Sequence, residues 1–137
     1  MKRPTSFFFI LLSVWLMLGS CIENDTMPSK TMLLTQSGWK YSVFTSTDSF
    51  VQSYLAIALL GSEISFNTNK TSILTFSSTV NSVQSTYTWA FSADEKNLLL
   101  TDSNGTVAYE LVVLNGSNLD FRTSSGGIIN VYRFIKK

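Results

Sequence analysis

Residues 86–122 read TYTWAFSADEKNLLLTDSNGTVAYELVVLNGSNLDFR, and this stretch decides the fold. Large apolar side chains alternate with small or polar ones before residue 92 and again after Gly105, which is the period of a β-strand that buries one face. The segments Ala93–Asn97 and Asp102–Gly105 consist mostly of turn-forming residues, and Asn115-Gly116 is a strong short hairpin pattern. The stretch therefore predicts consecutive antiparallel strands joined by tight turns.

The same pattern continues on both sides of this stretch, so that strand candidates follow one another along most of the chain. We predict eight strands, at Trp39–Thr45, Glu63–Phe66, Ser72–Phe76, Ser85–Phe91, Leu98–Thr101, Thr106–Leu114, Asn118–Thr123 and Ile128–Ile135. Because nearly all the connections are short, each strand is expected to pair with the next. An eight-stranded up-and-down meander of this kind can close into a barrel without exposed strand edges, so we predict an all-β, antiparallel barrel.

Two segments depart from the period of two. Lys30–Gln36 is expected to form one or two helical turns before Gly38. The segment Phe50–Leu60 (FVQSYLAIALL) has apolar residues near helical spacing, with Ser49 as the expected N-cap and Gly61 after its end. It is expected to form a helix over one mouth of the barrel, as a lid or as a plug, and a buried strand is the alternative.

The N-terminal residues carry a targeting pattern. Lys2 and Arg3 precede the apolar run Phe7–Leu18, which is shorter than the roughly 20 residues that a membrane-spanning helix needs and suits a secretion signal. The sequence Leu-Gly-Ser-Cys at residues 18–21 resembles the lipobox of bacterial lipoproteins. We therefore divide the chain into a signal peptide (1–20), a lipidated tether (21–29) and a barrel domain (30–137).

This resemblance implies a permanent lipid anchor on Cys21. In such lipoproteins the thiol becomes a thioether to diacylglycerol, the new N-terminus gains an amide-linked acyl chain such as palmitate, and several chains together give durable anchoring. Cys21 is the one cysteine of the chain, so the domain is expected to have no disulfide. Ile22 stands where an inner-membrane retention signal would have aspartate, which favours the outer membrane, with the domain facing the periplasm or the cell surface.

Charge and residue types exclude several kinds of function. The chain has ten basic and nine acidic residues, and once Lys2 and Arg3 are removed no basic cluster remains to indicate nucleic-acid binding. There is no histidine, and the sole cysteine is assigned to lipid, so the usual nucleophile pairs and most transition-metal ligands are absent from the sequence. We therefore expect no enzyme, no metal and no cofactor.

The predicted barrel resembles the lipocalin-like superfamily, including the small lipocalin-like lipoproteins of Gram-negative bacteria. The resemblance covers about Leu33 to Lys137 and rests on Gly38-Trp39 opening the first strand, a short helix before it, and a meander whose longest connection follows the first strand. Lipocalins have Gly-x-Trp at this place, whereas here the two residues are adjacent. The resemblance implies that Arg133, or alternatively Arg122, packs over Trp39 and closes the barrel floor.

Eight strands can enclose either a packed core or a space for one small ligand. Alternation predicts which side chains share one face of a strand. In the first strand these are Trp39, Tyr41 and Val43, and in the sixth they are Val107, Tyr109, Leu111 and Val113, and we expect these faces to point into the barrel. The residues that we predict to line a ligand site are Trp39, Tyr41, Phe66, Phe76, Tyr87, Trp89, Phe91, Tyr109, Leu111 and Phe121. The hydroxyls of Tyr41, Tyr87 and Tyr109 would need polar partners if they are buried.

Two functions remain open at this point. The first is a membrane-anchored binding module for a small apolar or amphipathic ligand. The second is an interaction protein that inhibits an enzyme or docks onto an envelope complex through its outer surface and loops. A large interior cavity favours the first, and a solid core with an exposed apolar patch favours the second.

Overall fold

The computed structural model describes residues 27–77 and 82–137, which form two helices and eight strands. The signal peptide, Cys21 and most of the tether lie outside these residues. The helices are α1 (Lys30–Thr35) and α2 (Ser49–Ala58). The strands are β1 (Trp39–Ser46), β2 (Glu63–Phe66), β3 (Thr71–Phe76), β4 (Val83–Phe91), β5 (Asn97–Asp102), β6 (Gly105–Leu114), β7 (Asn118–Ser125) and β8 (Ile128–Lys136).

The strands form one closed antiparallel barrel in sequence order, with β8 paired back onto β1. This confirms the predicted up-and-down barrel with a helix after the first strand. The hairpins form where turn residues were recognised; at the β6–β7 turn, for example, the Asn115 side chain accepts hydrogen bonds from the amides of Ser117 (2.9 Å) and Asn118 (2.8 Å). The β1–β8 seam extends along most of both strands, whereas β1 pairs with β2 only at Trp39 and Lys40.

Register shifts in β1 and β6 change which side chains face the interior. In β1 the shift lies between Tyr41 and Val43, so that Phe44 is buried and Val43 is 43% exposed. In β6 the shift follows Leu111, and Leu114 rather than Val113 pairs with the buried Leu119. The interior positions predicted for Val43 and Val113 are therefore wrong, because a bulge adds one residue and reverses the alternation beyond it.

The hairpins place the two helices at opposite ends of the barrel. Helix α1 and the β2–β3, β4–β5 and β6–β7 turns share one end, which we call the closed end; α2 and the other connections share the opposite end, the open end. At the closed end Leu34 from α1 packs on the inner side chains, and the Trp39 indole N–H donates to its carbonyl at 2.9 Å. Leu34, Trp39, Leu98 and Leu119 are all 0% exposed, so this end is filled.

Candidate functional site

A cavity of about 240 Å³ lies inside the barrel beneath helix α2. Strands β2 to β8 each contribute at least one side chain to its wall, α2 contributes Leu55, and Leu59 directly after α2 completes it. The lining residues are Leu55, Leu59, Ile64, Leu74, Phe76, Tyr87, Leu100, Tyr109, Phe121, Tyr132 and Phe134. All are aliphatic or aromatic, and none of these described residues carries a charge at neutral pH. The cavity is thus an apolar space with polar atoms only at its tyrosines.

One side of the cavity is a continuous wall of aromatic rings. The ring of Phe121 lies at the centre, 5.0 Å from Tyr109, 5.4 Å from Tyr132 and 5.4 Å from Phe134 between centroids. The Tyr109 contact is edge-to-face, and the Phe134 contact is stacked. Such pairs add about 0.5–1.5 kcal/mol each beyond the area that they bury, so the wall is held in one arrangement by its own packing.

Three tyrosine hydroxyls give the cavity its polar character. The pKa of Tyr109 is raised from 10.0 to about 12, first by removal from water and in smaller part by electrostatic repulsion from Tyr132, Tyr87 and Asp102. Removal from water also raises the pKa of Tyr132, partly offset by a hydrogen bond with Thr123. Both hydroxyls therefore stay protonated at neutral pH and can donate a hydrogen bond.

Helix α2 covers the open end and is attached to β1. Its N-cap is Asp48, whose carboxylate accepts from the Val51 amide at 2.9 Å, so the prediction of Ser49 as the cap is wrong by one residue. The Gln52 side chain donates to the Phe44 carbonyl at 2.8 Å and accepts from the Ser46 amide. The helix therefore rests on β1 and supplies part of a wall of the cavity; that it acts as a lid stays a prediction.

The two faces of α2 differ in exposure. Val51 and Leu55 pack against the core, and Leu55 also faces the cavity. The opposite face is apolar as well, yet Phe50 is 78%, Tyr54 65% and Ile57 72% exposed. An exposed apolar stripe of this size is unusual on a helix that contacts only its own domain.

The structure brings some of the predicted lining residues together and separates others. Phe76, Tyr87, Tyr109 and Phe121 line the cavity, whereas Leu111 packs against the core without lining it. The Tyr41 hydroxyl lies 3.5 Å from the carbonyl of Ala56 in α2 and so helps to hold the helix. That any of them binds a ligand stays a prediction.

The remaining predicted lining residues belong to the closed half. Trp39 is enclosed there, and Trp89 donates from its indole N–H to the Asn67 carbonyl at 3.0 Å, with Lys70 3.9 Å above its ring. Phe66 and Phe91 pack edge-on against Trp89. These tryptophans are part of the filled interior, not of the cavity wall.

The lining residues that the sequence interpretation missed are of two kinds. Tyr132 and Phe134 of β8 alternate with Arg133 and were recognisable by the period of two. The other missed lining residues are aliphatic and could occur in any apolar core, so only the fold reveals them: Leu55 of α2, Leu59 after it, Ile64, Leu74 and Leu100. Because the prediction favoured aromatic residues, it included residues of the closed end and left out many of the aliphatic residues that line the cavity.

Arg133 does not stack on Trp39. It lies on the outer face of β8, where its guanidinium Nε is 3.5 Å from the Asp120 carboxylate, while the β8 residue opposite Trp39 is Lys136. Because Tyr132 and Phe134 face inward, the residue between them must point outward. The alternative, Arg122, also points outward and donates two hydrogen bonds to Glu110 at 2.6 and 2.8 Å. The predicted pair is therefore wrong.

A second depression, of about 310 Å³, lies on the outside of the barrel. It is bounded by Ser65, Ile73 and Thr75 and by the ion pair between Lys137 and Glu63, whose Nζ and Oε2 atoms are 2.7 Å apart. Most of its walls are outward-facing strand residues and an exposed ion pair, whereas the interior cavity is lined by side chains from the inner face of the barrel. The interior cavity is therefore the candidate site.

Within the described segments, no group of three or more His, Cys, Asp or Glu side chains is arranged to hold a metal ion. Neither helix in these segments has the length and apolar character that crossing a membrane requires.

The barrel is similar in structure to proteins of known structure. No model of a protein family matches the chain, and no curated protein matches it. Bovine odorant binding protein, solved in complex with a selenium-containing odorant, is similar over 80% of this chain and 74% of its own, with 15% identity and a TM-score of 0.49. The candidate site is consequently defined by this chain's own geometry: an uncharged cavity, walled by aromatic rings and tyrosine hydroxyls, beneath a helix attached to one strand.

Proposed function

We propose that this protein binds a compact, predominantly apolar small molecule in the cavity beneath α2. The observation that carries the proposal is an interior space of about 240 Å³ with uncharged walls in a barrel only eight strands wide. Up-and-down barrels of this size are the architecture in which lipocalins hold single small ligands.

The size of the cavity limits the size of the ligand. An apolar cavity of about 150 Å³ is enough to bind benzene, and pockets for drug-sized molecules start at roughly 300 Å³. A space of about 240 Å³ lies between these limits. The proposed ligand is therefore a molecule of about one or two rings, or a short branched chain.

The test is a titration of the purified domain with naphthalene-sized uncharged compounds, followed by calorimetry or by ligand-observed NMR. We expect saturable one-to-one binding that is lost in Leu74→Trp, because the larger indole occupies the cavity. The matched control is Ile73→Trp, one residue away on the same strand but on the outer face. Absence of saturable binding to the unmodified protein, or equal binding by the two variants, would contradict the proposal.

We also propose that the protein is a lipoprotein anchored through Cys21 in the outer membrane. The support is the order of a basic start, an apolar run and Leu-Gly-Ser-Cys. The nine residues 21–29 would allow the barrel to stand at most about 30 Å from the lipid, at ~3.3–3.6 Å per residue.

Cys21→Ser should abolish incorporation of a fatty-acid analogue and release the protein from the membrane fraction, because the thioether needs the sulfur. Ile22→Asp is the matched control: it should keep the label while shifting the protein towards the inner membrane. Persistence of label in Cys21→Ser would show that the lipobox interpretation is wrong.

The alternative is an interaction protein, and the exposed apolar face of α2 is the observation that favours it. Phe50, Tyr54 and Ile57 point away from the barrel and have no covering residues in the described part of the chain. If the cavity binds no compound, this face becomes the leading functional feature. Ile57→Lys should then abolish cross-linking of the protein to a partner in the cell envelope, while the denaturation midpoint of the domain stays unchanged because Ile57 is 72% exposed.

A further inference from the structure

The cavity has a polar centre that a purely apolar ligand would not use. Tyr87, Tyr109 and Tyr132 come from three strands, yet all three line the cavity, and Tyr87 and Tyr132 are near enough to Tyr109 to act on it electrostatically. We infer that the ligand is an uncharged molecule with an apolar body and one hydrogen-bond acceptor, such as a ketone, ester or ether oxygen, which accepts from the hydroxyl of Tyr109. This inference rests on the proposed function and names the ligand class.

The rings of Tyr109 and Tyr132 are both held by aromatic neighbours, but the Tyr132 hydroxyl has Thr123 as a hydrogen-bond partner, so Tyr109 is the member of the cluster that we assign to the ligand. Its ring packs edge-on against Phe121 at 5.0 Å and against Tyr132 at 6.1 Å, on two neighbouring strands. Its backbone is fixed in the sheet opposite Leu98, which is fully buried. A hydroxyl on a ring held from two sides has a fixed position, and a fixed donor favours one ligand orientation.

The Tyr109 hydroxyl differs in its partners from the interior indole groups and from the Tyr41 hydroxyl; the buried hydroxyls of Ser62 and Ser72 also have no partner, but neither residue lines the cavity. The indole N–H groups of Trp39 and Trp89 each donate to a backbone carbonyl, and the Tyr41 hydroxyl lies within reach of one. Among the described residues, the Tyr109 hydroxyl forms no hydrogen bond with another protein group. Polar groups enclosed by protein are usually paired, so this hydroxyl is available to a ligand that enters the cavity.

The surroundings select against a charged ligand. No lining residue carries a charge that could pair with a carboxylate or an ammonium group, and removing an unpaired ion from water is costly. For an anion the nearby Asp102 adds repulsion, the same effect that it has on the Tyr109 hydroxyl. A neutral oxygen acceptor avoids both penalties and still uses the donor.

The test compares naphthalenes of one shape that differ in one group: 2-acetylnaphthalene, its hydrocarbon isostere 2-isopropenylnaphthalene, 2-naphthoate and the ammonium form of 1-(2-naphthyl)ethylamine. We expect the ketone to bind about tenfold more tightly than the isostere, a difference of about 1.4 kcal/mol. Both charged compounds should bind more weakly than the ketone. The measurement is the dissociation constant for the purified domain by calorimetry.

Two hydroxyl deletions then assign the preference. Tyr109→Phe should bring the ratio of ketone to isostere affinity close to one, while the affinity for the isostere changes by less than about twofold, which also shows that the variant is folded. Tyr54→Phe removes a hydroxyl on the exposed face of α2 and should keep the tenfold ratio.

The results distinguish a failure of the proposed function from a failure of the inferred ligand class. If none of the compounds binds, the proposed function is wrong. If ketone and isostere bind equally, or a charged compound binds most tightly, the cavity binds ligands but the inferred class is wrong. A tenfold preference that survives Tyr109→Phe and disappears in Tyr132→Phe would overturn the role given to Tyr109.

Discussion

The two ends of this barrel are built from the same alternating strands, yet one is filled and the other is hollow. At the closed end α1 inserts Leu34 between the strands, and Trp39 and Trp89 occupy the remaining space. At the open end α2 lies across the mouth on β1, and Leu55 of α2 and Leu59 after it form part of the wall of a cavity without filling it. The difference shows that the position of a capping helix, and the size of the side chains beneath it, decide whether an eight-stranded barrel holds a ligand.

The two ends also differ in what their polar side chains contact. In the closed half the indole N–H groups donate to backbone carbonyls of the helix and of the β2–β3 turn, which fixes those elements to the core. In the open half the tyrosine hydroxyls face the cavity. The closed end is therefore expected to supply stability, and the open end to supply function at little cost in stability.

The largest expected effect is at the closed end. Trp39→Ala should lower the free energy of unfolding by about 3–5 kcal/mol, because it leaves a void in a fully enclosed site and removes the hydrogen bond to Leu34. Chemical denaturation, with the midpoint and slope compared, measures the loss. A midpoint that does not move would mean that the closed end is not the stabilising half.

An intermediate effect compares the same enlargement at both ends. Leu98→Trp should lower the free energy of unfolding by about 1–3 kcal/mol, the usual cost of overpacking a filled interior. Leu74→Trp, at the cavity wall, should change stability by clearly less than this, because the added ring enters existing space. Thermal or urea unfolding of the pair measures the difference. Equal losses would show that the open end is as tightly packed as the closed one.

The smallest expected effect is a change in alkaline stability. The folded protein keeps the Tyr109 hydroxyl protonated up to about pH 12, whereas the unfolded chain releases this proton near pH 10.0. Between these values the native state binds more protons, so stability falls as pH rises. Tyr109→Phe should make the fall between pH 10 and 12 shallower, and near neutral pH should cost about 1 kcal/mol or less.

The readout is the urea midpoint at several pH values from 8 to 11.5. Tyr54→Phe is the control, because its hydroxyl lies on the exposed face of α2. The same slope in the unmodified protein and in Tyr109→Phe would mean that the cavity hydroxyl is as well hydrated as one on the surface.

Much of the fold could be predicted from local patterns, and the limits of prediction lie at particular residues. Strict alternation in β4 and the turn residues around Asn115-Gly116 give strand and hairpin directly. A bulge has no comparable local pattern: nothing near Tyr41 indicates that Phe44, and not Val43, turns inward. Register errors of one residue reverse a strand's faces, so site residues beyond a bulge are the hardest to predict.

The site was harder to predict than the fold for a related reason. The sequence pattern favours large aromatic residues as cavity lining, but Trp39 and Trp89 fill the opposite end, and the aliphatic residues Leu74 and Leu100 form part of the wall. Whether a residue lies at the closed or the open end of the barrel depends on the stagger between the strands, called the shear. The shear is known only when all the strand pairings are known.

The β1–β8 seam has a consequence for the order of events in folding. Trp39 and Lys136 are neighbours across the seam although they lie 97 positions apart in the chain. All the other pairings in the barrel join strands that are consecutive in the sequence. Closing a loop of that length is entropically slow compared with forming a hairpin. The hairpins from β2 to β8 can assemble as an open sheet, but β1 has only a short pairing with β2 and gains its full set of partners last. Barrel closure is therefore expected to be the rate-limiting step of folding, and Trp39, enclosed beside the seam, would report it by a late change in fluorescence.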